Sequence, residues 1–240
     1  MSSAIAKDLA PTGKLRASIN LGNPILAQGT LEAPSGPTVD ISREVAKRLG
    51  LELELLTFDA ARKSFEAMNE GNADICYLAI EPVRAAEVAF TKPYVLIEGV
   101  FCVPVDSPIK TVEDVDKPGV RIGVNEGSAY HLYLSRTLKH ATCVFGAAVS
   151  DGQDVMRDLK LEAGAGVRGP VAAYVAKNPD VRLIPEKFMV IQQAVGIKKG
   201  KAPETVKWLS DLIEELKAGD FVPTALARGG QDPSLAAPPS

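Results

Sequence analysis

The chain has 240 residues, 46% of them hydrophobic and 24% charged, enough to bury one large core or two small ones. With 27 lysines and arginines against 30 aspartates and glutamates it carries a formal charge of −3, and no basic tract marks it for nucleic acid or an anionic membrane. No apolar run reaches the roughly 18 residues that a bilayer span requires, and the three cysteines and two histidines fit neither a metal-site spacing nor a disulfide framework.

The opening stretch MSSAIAKDLAPTGKL lacks a charged leader and an apolar core segment, so it does not read as a signal peptide. The expectation is a cytoplasmic chain or one whose leader has been removed. KLRASIN (14–20, then Leu21) reads as a strand, punctuated by Gly22 and Pro24. VDISREVAKRLG (39–50) places Ile41, Val45 and Leu49 on one face and stops at Gly50, a helix pattern. LELELL (51–56) alternates as a strand, AARKSFEAMNEG (60–71) is helical, and ADICYLAI (73–80) is a buried strand. Strand and helix in alternation predict a parallel sheet with helices on its faces.

GVFCVPV (99–105) is a further strand. A second alternating set follows: VRIGV (120–124), a helix over 128–138 capped by Ser128, ATCVF (141–145), a helix over 151–164, AGV (165–167) and a helix over 170–178 with Pro170 in its first turn. VRLI and FMVIQQAVGI are separate apolar runs, and APETVKWLSDLIEELKAG (202–219) is the clearest amphipathic helix. The tail QDPSLAAPPS reads as disordered. Two such sets predict two Rossmann-like α/β lobes: residues 1–103 with 195–240, and residues 104–194. Two chain crossings suit a hinge and a central cleft. The cysteines, Cys76, Cys102 and Cys143, read as free thiols on buried strands.

LEAGAGVRGPV (161–171) holds Gly164, Gly166 and Gly169 at the G-x-G-x-x-G spacing of a dinucleotide loop. Such a loop needs a strand before its first glycine and amide donors after its last. Here a helix precedes Gly164, which reads as that helix's stop, and Pro170 removes a donor. No nucleotide, cofactor or metal is expected. Arg168 then stands at the carboxyl end of a strand, where ligands bind in open α/β sheets.

DICYLAIEPVRAAEVAFTKPYV (74–95) resembles the family-3 extracellular solute-binding proteins, the polar amino-acid receptors of ABC importers. The phrases that carry the likeness are Glu81-Pro82-Val83-Arg84 and Phe90-Thr91-Lys92-Pro93-Tyr94. GPTVDISREVAKRLG, GVRIGVNEGSAY and VGIKKG are similar to three further phrases of that family, in the same order. The resemblance implies a type II periplasmic binding protein fold, a small carboxylate ligand, a permease partner and a periplasmic location. It implies no catalysis, no membrane insertion and a monomer. It also implies roles: Arg84 as a bidentate clamp on a carboxylate, and the Gly127, Ser128 and Ala129 amides at a helix N-terminus facing the same group.

The departures from the family's pattern concern the ligand. The first loop, Asn20-Leu21-Gly22-Asn23-Pro24-Ile25, has no aromatic residue, and neither does the region of Ala61. Ala79 replaces a serine or threonine, and Arg168 stands where the family keeps an aspartate for the ligand's ammonium group. A desolvated cation there would repel an amine. The expected ligand is therefore a dicarboxylate or a carboxylate without an amine, held by Arg84 and Arg168, with Tyr77, Asn20, Asn23 and Gln193 bonding its middle. Gln192 and Gln193 alternate, so one of them faces the ligand. Three alternatives remain: an amino-acid receptor of the same family, a dehydratase-like enzyme using Glu126, Glu81 or Tyr77 as acid, and a stand-alone ligand sensor.

Overall fold

The computed structural model describes residues 2–240, with the backbone alone described at residue 2. The chain divides into two compact units, Met1–Leu96 with Gln192–Ser240, and Ile97–Ile191. The boundaries fall inside two long strands, earlier than the expected 103/104 and 194/195.

Unit 1 begins with α1 (Ser2–Leu9) and β1 (Lys14–Asn20). A small hairpin of β2 (Gln28–Gly29) and β3 (Pro34–Ser35) leads into α2 (Pro37–Leu49). Then come β4 (Glu52–Phe58), α3 (Ala61–Asn69), β5 (Ile75–Ala79), α4 (Pro82–Ala85) and β6 (Val88–Phe90). The sheet runs β4-β1-β5, all parallel, and continues with the return strand β11 (Val181–Lys198), antiparallel to β5. α8 (Pro203–Ala218) and α9 (Phe221–Arg228) complete the unit.

Local chemistry explains these elements. α2 starts at Pro37, whose fixed φ suits a first helical turn, and buries Val39, Ile41, Val45 and Leu49 on one stripe. It ends at Gly50, in the left-handed region at φ 65°, where the glycine amide reaches back to the carbonyls of Ala46 and Lys47. α3 contributes Ala67 and Met68 to one apolar cluster of the unit, with Cys76, Leu78 and Val88.

In unit 2, β7 (Val95–Pro104) leads to β8 (Arg121–Val124), α5 (Ala129–Thr137), β9 (Thr142–Phe145), α6 (Gly152–Asp158), β10 (Ala163–Val167) and α7 (Arg168–Lys177). β10, β8 and β9 are parallel, and β7 pairs antiparallel with β10. Val100, Cys102, Val155, Met156, Leu161 and Val171 form its core. The parallel core of each unit agrees with the sequence reading; the long strands β7 and β11, which carry the chain between units, pair antiparallel with those cores.

Several expectations are corrected. Gly164 is not a helix stop. α6 ends at Asp158, the chain turns through Lys160 at φ 52°, and Gly164 lies inside β10. Its glycine is required by contact: a Cβ there would sit 2.7 Å from the Gly152 carbonyl oxygen. The glycine spacing therefore seats α6 on the sheet and builds no phosphate loop. The two apolar runs near the end merge into the single strand β11. The tail is not disordered: Ala237 donates to the Tyr94 carbonyl at 2.9 Å, Ala236 bridges Val95, and Ser240 donates to Glu214 at 2.8 Å. α1, absent from the sequence reading, buries Ile5, Ala6 and Leu9, while Asp8 accepts the Ala202 amide. The cysteines are free; Cys76 and Cys102 are buried, and burial pushes each thiol up to about 12.

Candidate functional site

Each unit gathers part of the expected ligand set, and they are described in turn. In unit 1 the focus is the carboxyl end of β5. Ala79 is the last residue of that strand and pairs in register with Gln193 of β11, so both point to one side of the sheet. Gln193 is buried and Gln192 exposed, so the two face opposite sides of β11.

Directly after β5, Glu81 precedes α4 and Pro82 opens it, so the chain turns tightly and returns Arg84 to the strand end. The Arg84 guanidinium donates to the Ala79 carbonyl at 3.2 Å and is 2% exposed. Desolvation pulls its pKa down to about 10, opposed by the Glu81 carboxylate, which is itself buried. At neutral pH the guanidinium keeps its charge in a nearly dry setting, where an ionic contact is stronger than in water.

Asn20 closes β1, and its Oδ1 accepts the Gly22 amide at 2.9 Å. Gly22 admits no side chain, because a Cβ would lie 2.5 Å from the Asp59 carbonyl oxygen. Asn23 is buried; its Oδ1 accepts the Ile25 amide at 3.2 Å and its carbonyl takes the amides of Leu26 and Ala27. The two asparagines thus shape the first loop with their oxygens.

Tyr77 departs from expectation. Its hydroxyl pairs with Ser42 of α2 at 2.7 Å, and the residue is 2% exposed. Its ring meets Tyr94 edge-on with centroids 6.3 Å apart. Burial pushes the phenol above its ordinary pKa, with the Ser42 bond opposing. The hydroxyl serves the core of unit 1 and is not presented as a ligand donor or an acid.

In unit 2, Gly127 turns the chain at φ 73° between β8 and α5. Ser128 caps the helix, its Oγ accepting the His131 amide at 3.1 Å, and Ala129 is the first helical residue. The Gly127 amide donates to Nδ1 of His131 at 2.9 Å. The amides expected to face a carboxylate therefore stand at a helix N-terminus, but the first donates to its own helix and the Ser128 amide donates to the Asn125 carbonyl at 3.1 Å.

Arg168 is the first residue of α7. Its Nε donates to Glu98 of β7 at 2.5 Å and its Nη2 to the Pro185 carbonyl at 2.8 Å. Glu98 also accepts from Lys187 of β11 at 2.9 Å. Lys187 and Arg168 together hold the Glu98 carboxyl below its ordinary pKa. Arg168, expected from the sequence as an uncompensated cation, has a carboxylate partner. Glu98, Lys187 and His131 were absent from the sequence-derived set. A lone glutamate in the apolar run VLIEGVFCV was the available signal for the first. Among the described residues, no cluster of histidine, cysteine, aspartate or glutamate is placed to hold a metal ion.

Comparison with known proteins supports the family and the fold. Residues 23–222 match the model of the bacterial extracellular solute-binding proteins, family 3. No curated protein matches significantly by sequence. Among solved structures, the ancestral amino acid-binding protein AncCDT-1, a precursor of cyclohexadienyl dehydratase, is 22% identical with TM-score 0.74, covering 93% of this chain and 98% of that one. A binding component of an ABC transporter from Wolinella succinogenes, complexed with lysine, is 20% identical with TM-score 0.74, covering 90% and 95%. An amino acid ABC transporter substrate-binding protein from Streptococcus pneumoniae, bound to L-arginine, is 18% identical with TM-score 0.75, covering 93% and 97%.

Proposed function

Because the chain belongs to the bacterial extracellular solute-binding proteins of family 3, we propose that it is the receptor of an ABC importer for an amino acid, binding it without catalysis. Unit 1 offers Arg84 to the α-carboxylate, with Ala79, Gln193, Asn20 and Asn23 around it. In unit 2 the Ser128 amide is taken by the Asn125 carbonyl, so the candidate donors at the start of α5 are the Ala129 amide and the Gly127 amide now held by His131. The observation that carries the amino-acid reading over a dicarboxylate is the Arg168–Glu98 ion pair at 2.5 Å. A paired guanidinium does not repel an ammonium group as a bare one would. The similar proteins named above, complexed with lysine and with L-arginine, support the same class.

A second reading keeps one observation in its favour. Glu98 is shared by two cations, Arg168 and Lys187, which leaves a positive excess suited to a carboxylate without an amine. The family is extracellular, and among the described residues no helix is long and apolar enough to cross a membrane; the cytoplasmic alternative gains no support. A thermal-shift comparison of L-arginine, L-lysine and succinate at neutral pH separates the two readings. At a concentration of about 100 times Kd a ligand adds about 2.7 kcal/mol of stability, a clear shift. Stabilisation by the amino acids alone supports the first reading, and stabilisation by succinate alone replaces it with the second.

A further inference from the structure

The Gly127 amide is engaged by a titratable side chain. It donates to Nδ1 of His131, one turn into α5, at 2.9 Å. The His131 backbone amide is in turn anchored on Ser128 Oγ at 3.1 Å, and Phe145 of β9 packs edge-on against the imidazole with centroids 4.9 Å apart. A ring nitrogen that accepts a hydrogen bond carries no proton, so this contact belongs to the neutral imidazole.

We propose that His131 is a proton-controlled gate on the Gly127 amide: neutral, it holds the N–H for itself; protonated, it releases the N–H and sets a positive charge beside it. An anionic group at the start of α5 then binds more tightly in acid. The inference rests on the reading that Gly127 faces the solute's carboxylate, and it names how that contact is regulated.

The surroundings favour the neutral form at pH 7. Half-burial lowers the His131 pKa, and the Glu126 carboxylate in the turn before α5 opposes that. β9 presents the uncharged Phe145, β10 reads AGAGV and has no titratable group, and β11 meets α5 through Phe188 on the Tyr133 ring, with centroids 6.0 Å apart. On α5 itself, Ser128 and Ser135 bond the His131 backbone and carry no charge. The sign follows from linkage. A carboxylate that takes over the amide raises the His131 pKa, so binding takes up a proton. Affinity is greatest below the pKa of the free protein and falls as pH rises through the pKa of the complex.

The chain's only other histidine, His140, lies outside this contact, so the variant His140→Gln leaves one imidazole to follow. Nitrogen-15 NMR of that variant from about pH 5 to about pH 8 should show the Gly127 amide moving with the same midpoint as His131, below about 6.5. A Gly127 amide that ignores the His131 titration, or an Nδ1-protonated tautomer at neutral pH, overturns the gate. Calorimetry with L-arginine and L-lysine supplies the second arm, since neither probe changes charge near neutrality. The unmodified protein should bind about tenfold more tightly at about pH 5.5 than at about pH 7.5. In His131→Gln, whose amide oxygen accepts the same N–H at any pH, affinity should not depend on pH. Equal affinity at both pH values in the unmodified protein overturns the gate. If neither amino acid binds at either pH while the coupled titration persists, the solute reading fails and the coupling is upheld by the first arm.

Discussion

Arg84 and Arg168 were predicted to be equivalent clamps, one in each unit, yet the structure treats them differently. Arg84 is buried at the end of β5 on a backbone carbonyl, with its pKa pulled down to about 10 by desolvation. Arg168 is one-third exposed at the start of α7 and ion-paired with Glu98. A buried cation is held by its unit whether or not a solute arrives. A part-exposed, paired cation is electrostatically muted and can only modulate. The contrast teaches that the identity of a charge at a sequence position does not determine the potential there; its partner does.

The sharpest break between the two residues is in stability. Arg84→Ala removes the positive charge acting on the buried Glu81 carboxylate, and should cost about 3–5 kcal/mol in urea denaturation. Arg168→Ala, in an ion pair about a third exposed, should cost no more than about 1 kcal/mol. Equal losses would erase the distinction. Selectivity gives the next effect. Glu98→Gln leaves Arg168 and Lys187 uncompensated, and should weaken L-lysine or L-arginine binding about tenfold, about 1.4 kcal/mol. Unchanged affinity would place those ions away from the solute.

Tyr77→Phe should cost about 1 kcal/mol of stability, because Ser42 loses its hydroxyl partner, and should leave solute affinity unchanged. A loss of affinity without a loss of stability would return Tyr77 to the ligand. The smallest effect concerns pH. The Glu98 carboxyl is held below its usual pKa in the folded chain by Lys187 and Arg168, so the unfolded chain binds its proton first. Its contribution is full above the ordinary glutamate range and is lost as pH falls through the folded value. Acid melting of Glu98→Gln should therefore be flatter than that of the parent over that window.

Much of the fold was legible in the sequence because its signals are local. Val39, Ile41, Val45 and Leu49 with Gly50 announce α2, and Leu209, Leu212, Ile213 and Leu216 announce α8. Other features were hidden for physical reasons. Pro185, Glu186 and Lys187 interrupt the apolar pattern of β11, so one strand read as two runs. Every residue of β5 is buried, so alternation could not say where Tyr77 points. Gly164 looked like a helix stop because a contact glycine and a capping glycine are the same letter. At the site, Arg84 was identifiable from its motif, whereas the partner of Arg168 lies 70 residues away in sequence and only the folded sheet brings it close.

The central claim is that the solute's carboxylate is taken by Arg84 while Arg168 stays with Glu98. A crystal structure grown with L-arginine or L-lysine tests it most directly. The account predicts the carboxylate within hydrogen-bond reach of the Arg84 guanidinium and the Arg168–Glu98 pair intact. An Arg168 side chain swung off Glu98 and onto the solute's carboxylate would contradict it.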